Sequence, residues 1–342
     1  MNWPDDPAAI LDGSRGRCLC WNLSRVVGGQ APGWQKVWAH QRDVAPFQLA
    51  AELGAAVGAV VDDPVALSAN AIFDALDQSV NAAMYWQEPD DVDRALGAPE
   101  VAAALISLAA ALAISPTTAW WAAPLDGADQ HAVVFDSTPT QTKAGDLAQW
   151  RAETLADEKA AAERPSDPRA NCSGRWWSTP VFAGLTATTR SLPEVGPVGL
   201  RLVEDAMGWN AATTQRVEMP ASARVYEITG PDAWANLVGS YPLDVSRARR
   251  HDWWRITGRV GRWLIPDYLA VAADFDAVHL SVVGYLTAAG RPVDLGHDAA
   301  SVLAGWDPDE TYWLTGPPGP AGPSQRWFTS AGTVPSRWTS AD

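Results

Sequence analysis

Cysteine is scarce: three in 342 residues, Cys18, Cys20 and Cys172. An odd count, with two thiols only two positions apart, suits neither a disulfide framework nor a C-x-x-C metal or redox motif. Reduced thiols in a cytoplasmic protein are the expectation. Basic charge is also short, with 25 Lys and Arg against 40 Asp and Glu and a net charge of −15. Such a balance repels a phosphate backbone, so nucleic acid is disfavoured as a partner. The longest apolar run, residues 101–114, is shorter than the roughly 20 residues that span a bilayer. The opening M-N-W-P-D-D-P has neither the basic nor the apolar region of a signal peptide. No membrane partner is therefore expected.

Motifs that would name a chemistry are missing as well. There is no G-x-G-x-x-G and no G-x-x-x-x-G-K-[ST], which removes the phosphate loops of dinucleotide and P-loop folds. G-x-S-x-G, the serine-hydrolase elbow, is absent too. The five histidines, His40, His131, His251, His279 and His297, are scattered without H-E-x-x-H or a Cys/His cluster, so no metal site is expected.

What remains is a globular composition, 47% hydrophobic and 19% charged, with 19 tryptophans. Indole combines a large apolar face with one N–H, which suits cores and ligand walls alike. Apolar spacing predicts a helix over residues 46–62 and another from 63 or 64 to 86, with Ile72, Leu76, Val80 and Met84 on one stripe. A third, over 98–114, is apolar all round and is expected at the centre of the N-terminal part. Residues 131–135 read as a strand and 145–164 as an exposed connecting helix. R-P-S-D-P-R (164–169) cannot continue a helix and is read as a boundary between parts 1–164 and 165–342.

Beyond it, strands are expected over 198–205, with Arg201 outward, then 223–228, 276–287, 301–306 and 311–314. A short helix is expected over 229–238. W-W-x-x-P occurs at 120–124 and again at 176–180, and both copies read as strands. The tail from 316, rich in Pro, Gly and Ser, is expected to lie loosely on the surface. Helices first and strands later predict an α+β fold: a mainly helical N-terminal part packed on a mixed, mostly antiparallel sheet with short helices.

The segment 247–285 gathers the candidate site. Arg249, Arg250 and Arg255 stand beside Trp253 and Trp254, a combination that neutralises an anion and walls a flat ring. A strand over 276–287 would put His279, Ser281 and Tyr285 on one face, where a histidine and hydroxyls can move protons. Glu227 or Glu310 would supply the partner carboxylate, drawn from a group that also includes Glu204, Asp205, Asp307 and Asp309. Y-W-Q-E-P-D-D (85–91) is placed to cap a cleft between the two parts.

Y-W-Q-E-P-D (85–90), R-V-Y-E-I-T-G-P-D-A-W (224–234), P-D-Y-L-A-V-A-A-D-F-D-A-V-H-L-S-V-V-G-Y-L (266–286) and A-G-W-D-P-D-E-T-Y-W-L (304–314) resemble segments of an actinobacterial family of no assigned activity. The order of elements in the second half is also similar to small ADP-ribosyltransferase domains. Arg224 and Tyr226 would lie on a first strand, His279 and Ser281 on a middle one, and Glu310 at the late acidic position. No S-T-S strand and no E-x-E or Q-x-E loop accompanies them, so the resemblance carries element order rather than residue roles. The residues name no cofactor; NAD is compatible with that resemblance. The expected function is an enzyme acting on a small anionic or aromatic molecule, ADP-ribosyl transfer being one version. The alternative is a binding or regulatory protein that meets a protein partner through an aromatic surface.

Overall fold

The computed structural model describes residue 3 and residues 5–28, 67–136, 145–329 and 337–341. The helix expected over 46–62, and the start of the one after it, lie outside them.

A 3-10 turn, Pro7–Asp12, leads into helix Ser14–Gly28. Helix Ala69–Asn81 packs beside it and is capped by the Ser68 hydroxyl, which accepts the Ala71 N–H at 3.3 Å. Ile72, Leu76 and Val80 are its buried stripe, as the spacing requires. It stops at Asn81, so Met84 lies past its end and is exposed. Residues 98–114 do not form one central helix. They break at Leu105 into Pro99–Ala104 and Ile106–Ile114, and Ile106 and Ile114 face solvent. Small alanines around most of this segment let it sit at the rim with only Leu108, Ala109, Leu112 and Ala113 buried from its second half.

The strands, in chain order, are β1 Gln130–Phe135, β2 Thr186–Leu192, β3 Gly196–Pro197, β4 Ala211–Glu218, β5 Val225–Ile228, β6 Pro242–Asp244, β7 Arg262–Pro266, β8 Ala277–Leu280, β9 Pro292–Gly296, β10 Ala299–Val302, β11 Thr311–Trp313, β12 Gly319–Thr329 and β13 Trp338–Ser340. Nine form one mixed sheet in the order β13-β12-β4-β1-β2-β11-β8-β5, with β3 on β2. Four form a second, β6-β7-β10-β9. The parallel pairs are β5 with β8 and β7 with β10. The α+β fold is thus as expected, and β1 from the first half is hydrogen-bonded between β2 and β4.

Three local readings change. Residues 198–205 are a 3-10 turn and bends, and Arg201 is buried against Asp74 and Asp77 at 2.7 and 2.6 Å rather than turned outward. Neither W-W-x-x-P copy is a strand: the first lies in the 3-10 helix Pro116–Ala122, the second in irregular chain. Within the described part of the tail, residues 319–329 are not loose, because β12 pairs along β4. A register shift between Pro320 and Ser324 absorbs the residues that disfavour a ladder.

The core is continuous from the N-terminal helices Ser14–Gly28 and Ala69–Asn81 to where the helices Pro231–Ser240, Ser246–Thr257, Tyr268–Asp274 and Val282–Ala288 meet the sheets. Trp121, Trp234, Trp253, Trp263 and Trp306 are fully buried there, and truncating an aromatic of that size to alanine costs about 3–5 kcal/mol.

Candidate functional site

The parallel register of β5 and β8 sets Glu227 opposite His279. The antiparallel register of β8, β11 and β2 continues that row through Thr311 to Thr188. Paired residues point to one face of a sheet, so the row is a polar stripe across it, with Arg190 two residues beyond Thr188 on the same face. The turn before β11 supplies Asp309, held in the left-handed region at φ 63°. Its N–H donates to the Leu280 carbonyl at 2.7 Å, and that bond anchors the strained residue.

These side chains form one chain of contacts. His279 Nδ1 meets Glu227 Oε2 at 2.5 Å and His279 Nε2 meets Asp309 Oδ1 at 3.4 Å. Arg190 Nε donates to Asp309 Oδ1 at 2.5 Å, and the Arg190 N–H donates to Asp309 Oδ2 at 2.9 Å. Leu125 N–H donates to Glu227 Oε1 at 3.0 Å, Arg190 Nη2 donates to the Pro124 carbonyl at 3.2 Å, and Trp120 lies 5.2 Å under the guanidinium. Segment 120–125 therefore covers the stripe. Burial alone would hold the His279 imidazole low. The Asp309 and Glu227 carboxylates outweigh it and raise its pKa above the ordinary value. A doubly partnered imidazolium donates from both nitrogens and accepts nothing. In that form it orients Glu227. Glu227 is the member that reaches solvent, 26% exposed against 7% or less for Arg190, His279 and Asp309.

His279 and Glu227 were both singled out by residue type and strand position; Arg190 and the particular role of Asp309 were not. The available signal was an arginine in the otherwise hydroxylic strand T-A-T-T-R-S, but its partner lies 119 residues away.

The other candidates fall elsewhere. Residues 276–287 are not one strand: β8 ends at Leu280 and helix Val282–Ala288 follows. Ser281 is the cap of that helix, its hydroxyl accepting the Gly284 N–H at 3.0 Å and donating to the Ile228 carbonyl at 3.2 Å. A Cβ on Gly284 would stand 2.2 Å from the same carbonyl, so glycine lets the helix seat on the end of β5. Tyr285 is thereby buried one helical turn on, near Tyr85 and Glu204, and away from the His279 face.

Glu310 belongs to a second cluster. Burial pushes its pKa up to about 7 and that of Glu204 up to about 8; for Asp307, burial together with Glu310 and Glu204 raises it well above the ordinary range. Glu204 Oε2 accepts the Gly305 N–H at 2.7 Å and Asp307 Oδ1 accepts the Glu204 N–H at 2.8 Å. Glu204 Oε1 has no hydrogen-bond partner.

The arginine–tryptophan segment is the helix Ser246–Thr257, and it clamps the connector that precedes β2. Arg250 Nη2 donates to the Ala161 carbonyl at 3.2 Å, and Arg255 donates to Asp252 at 2.7 Å and to the Cys172 carbonyl. Arg249 is buried 3.5 Å from Asp157, and burial lowers its pKa to about 10 despite that neighbour. Trp253 is fully buried, its indole N–H on the Trp176 carbonyl at 2.7 Å, and Arg169 lies over Trp254 at 5.6 Å. No hydrogen bond or ion pair among the described residues joins this helix to His279 or Glu227. The structure does not bring the two halves of the expected site around one hollow.

Two adjoining hollows open elsewhere, of about 380 and 360 Å³. The first is walled in part by residues 84–90, so Y-W-Q-E-P-D-D does border a cleft. Among the described residues no group of His, Cys, Asp and Glu is placed to hold a metal ion, and no helix is long and apolar enough to cross a membrane. No protein-family model, curated protein or solved structure matches this chain.

Proposed function

We propose that the chain is an enzyme acting on a small anionic or aromatic molecule, with Glu227 as the carboxylate that meets the substrate. His279, Asp309 and Arg190 are its positioning residues. One observation carries the reading: four charged groups of alternating sign are strung across a sheet face, and only the terminal one reaches solvent. Burying such a chain adds little net stability over an apolar equivalent, so its retention points to a task. A carboxylate fixed on one oxygen by an imidazolium and on the other by a backbone N–H suits proton abstraction or stabilisation of a developing cation. ADP-ribosyl transfer is a narrower version, resting on the order of elements in the second half. It asks for a late acidic residue open to substrate, whereas Glu310 lies with Asp307 and Asp309 is buried against Arg190. The wider reading is therefore preferred. A partner surface made of aromatics has less support. Among the described residues the aromatic side chains counted as exposed large hydrophobics are Trp86 and Phe328, on separate elements.

The test is a thermal-shift screen of nucleotides, NAD, sugar phosphates and aromatic acids, with each stabilising compound then followed for turnover by mass spectrometry. Glu227→Gln is expected to keep binding and lose turnover by roughly 100-fold or more. Turnover that survives the substitution, or a screen without a single stabilising compound, sinks the proposal. For a positioning role, His279→Gln should shift the pH profile of the reaction as well as slow it.

A further inference from the structure

In a chain with this excess of acid, arginines find carboxylates readily: Arg15 meets Asp93 at 2.5 Å and Arg94 meets Asp91 at 2.6 Å. Arg17 and Arg291 do not. Among the described residues no carboxylate lies within ion-pair reach of either. Arg17 Nη1 donates to the carbonyls of Leu11 and Asp12 at 2.6 and 3.1 Å, its Nε is buried without a hydrogen-bond partner, and Arg291 Nη1 has only the Thr287 carbonyl at 3.3 Å. The two are also near enough to disfavour each other's charge. Burial lowers the Arg17 pKa first; Asp93 and Asp12 act against that from beyond ion-pair distance, while Arg15 and Arg291 add to it.

Both line the 380 Å³ hollow, and Arg291 lines the 360 Å³ hollow as well, with Asp12 shared between them. The far wall of the second hollow is Thr229, Gly230 and Pro231, the carboxyl end of β5 and the start of helix Pro231–Ser240. Crevices beyond the carboxyl ends of parallel strands are frequent ligand sites, and two lobes of this size suit a small molecule. The acids of the first wall are partly spent: Asp93 holds Arg15, and Asp90 accepts the Asp93 N–H at 2.8 Å as a helix cap. Asp12, exposed at the junction of the lobes, Glu88 in the first lobe and Asp232 and Asp294 in the second are the opposing charges.

We infer that Arg17 and Arg291 form a binding site for a phosphate-bearing small molecule, its anionic group between the guanidiniums and its body along the two lobes. Paired guanidiniums with unused N–H donors match phosphate oxygens by charge and by fork geometry. The site stands apart from the Glu227 reading and does not depend on it.

Calorimetric titration of the full chain at low salt with inorganic phosphate, inorganic pyrophosphate and adenosine diphosphate tests it. Pyrophosphate and the nucleotide are expected to bind, and phosphate alone more weakly. Arg291→Gln, which forfeits a single long hydrogen bond and should fold, is expected to weaken pyrophosphate binding by about tenfold. Asp12→Asn is expected to strengthen it, and Arg255→Gln, in the other basic segment, to leave it unchanged. Absence of binding, equal binding by Arg291→Gln, or weaker binding by Asp12→Asn overturns the site. Nucleotide binding without pyrophosphate binding also overturns it, since recognition would then lie with the nucleoside.

Discussion

The turn W-D-P-D-E at 306–310 sends acidic side chains two ways, and the two destinations differ in kind. Asp309 enters a pocket already holding Arg190 and His279, where charge meets charge. Asp307 and Glu310 enter one shared with Glu204, where the hydrogen bonds to the carboxyl oxygens of Glu204 and Asp307 come from backbone N–H groups. The second cluster responds as deep burial demands, with all three carboxyl groups pushed up although Arg15 acts against the rise at Glu204. Neighbours in sequence thus end in opposite electrostatic states because of what β2, β8 and the 200–205 segment bring to them.

The largest way to break this contrast is Asp309→Asn. It leaves Arg190 and His279 without their shared carboxylate, and removing one partner of a buried pair costs about 3–5 kcal/mol. Urea unfolding should show the midpoint falling accordingly at pH 6; an unchanged midpoint would mean that the charges are reached by water. Next in size is the pH dependence of stability. Glu204 and Glu310 keep protons in the folded chain that the unfolded chain releases near 4.5, so stability falls as pH rises from there to about 8 and about 7 respectively. His279 acts in the same direction, its contribution complete below 6.5 and lost as pH rises through its raised folded value. Asp276, lowered to about 2 by the Arg224 side chain and N–H, acts oppositely and costs stability only below 3.8. The chain should therefore be more stable at pH 5 than at pH 8.5 by roughly a few kcal/mol, read from denaturant midpoints. A flat profile, or one rising toward alkaline pH, contradicts the second cluster as described.

Glu204→Gln sharpens the same comparison. The amide oxygen can still accept the Gly305 N–H, but there is no proton left to lose. Much of the slope between pH 5 and 8 should disappear, and at pH 8 the variant should equal or exceed its parent in stability. A slope left intact would assign the pH response to Glu310, Asp307 and His279 rather than to Glu204.

These clusters also mark how far the sequence could be read. β1, β5, β11 and the helix opening at Pro231 follow from local pattern, because each has a clear apolar rhythm or a helix-start signal. The strand expected over 301–306 is instead β10 at Ala299–Val302 and shares only two residues with it. The stretch from Ala277 to Ala288 does not, since every residue in it is buried and a rhythm of exposure is then absent. Glu227 and His279 stood out as ionisable groups in strands, but their pairing depends on a parallel register between segments 52 residues apart. Arg249, Arg250 and Arg255 looked available for a ligand because sequence displays donors and hides acceptors. The Ala161 and Cys172 carbonyls and the Asp252 carboxylate take up Arg250 and Arg255, and Arg249 is buried beside Asp157 at 3.5 Å with its Nε and Nη1 unpartnered. The Pro- and Gly-rich tail hid β12 for a related reason, as its partner strand β4 lies about a hundred residues upstream.

The smallest expected effect concerns Ser281, the residue on which the strand and helix readings of 276–287 part company. As a ligand contact on a strand face, its hydroxyl would matter to binding and hardly to folding. As a helix cap it accepts the Gly284 N–H and ties β8 to β5 through the Ile228 carbonyl. Ser281→Ala should then cost about 1 kcal/mol, the usual loss for a cap. Affinity for any compound found to stabilise the chain should stay within about twofold, because the lost hydroxyl faces backbone rather than a hollow. Measuring both quantities on one variant separates the roles. A binding defect with stability unchanged would restore Ser281 to the ligand site, while the reverse pattern leaves Ser281 to the fold.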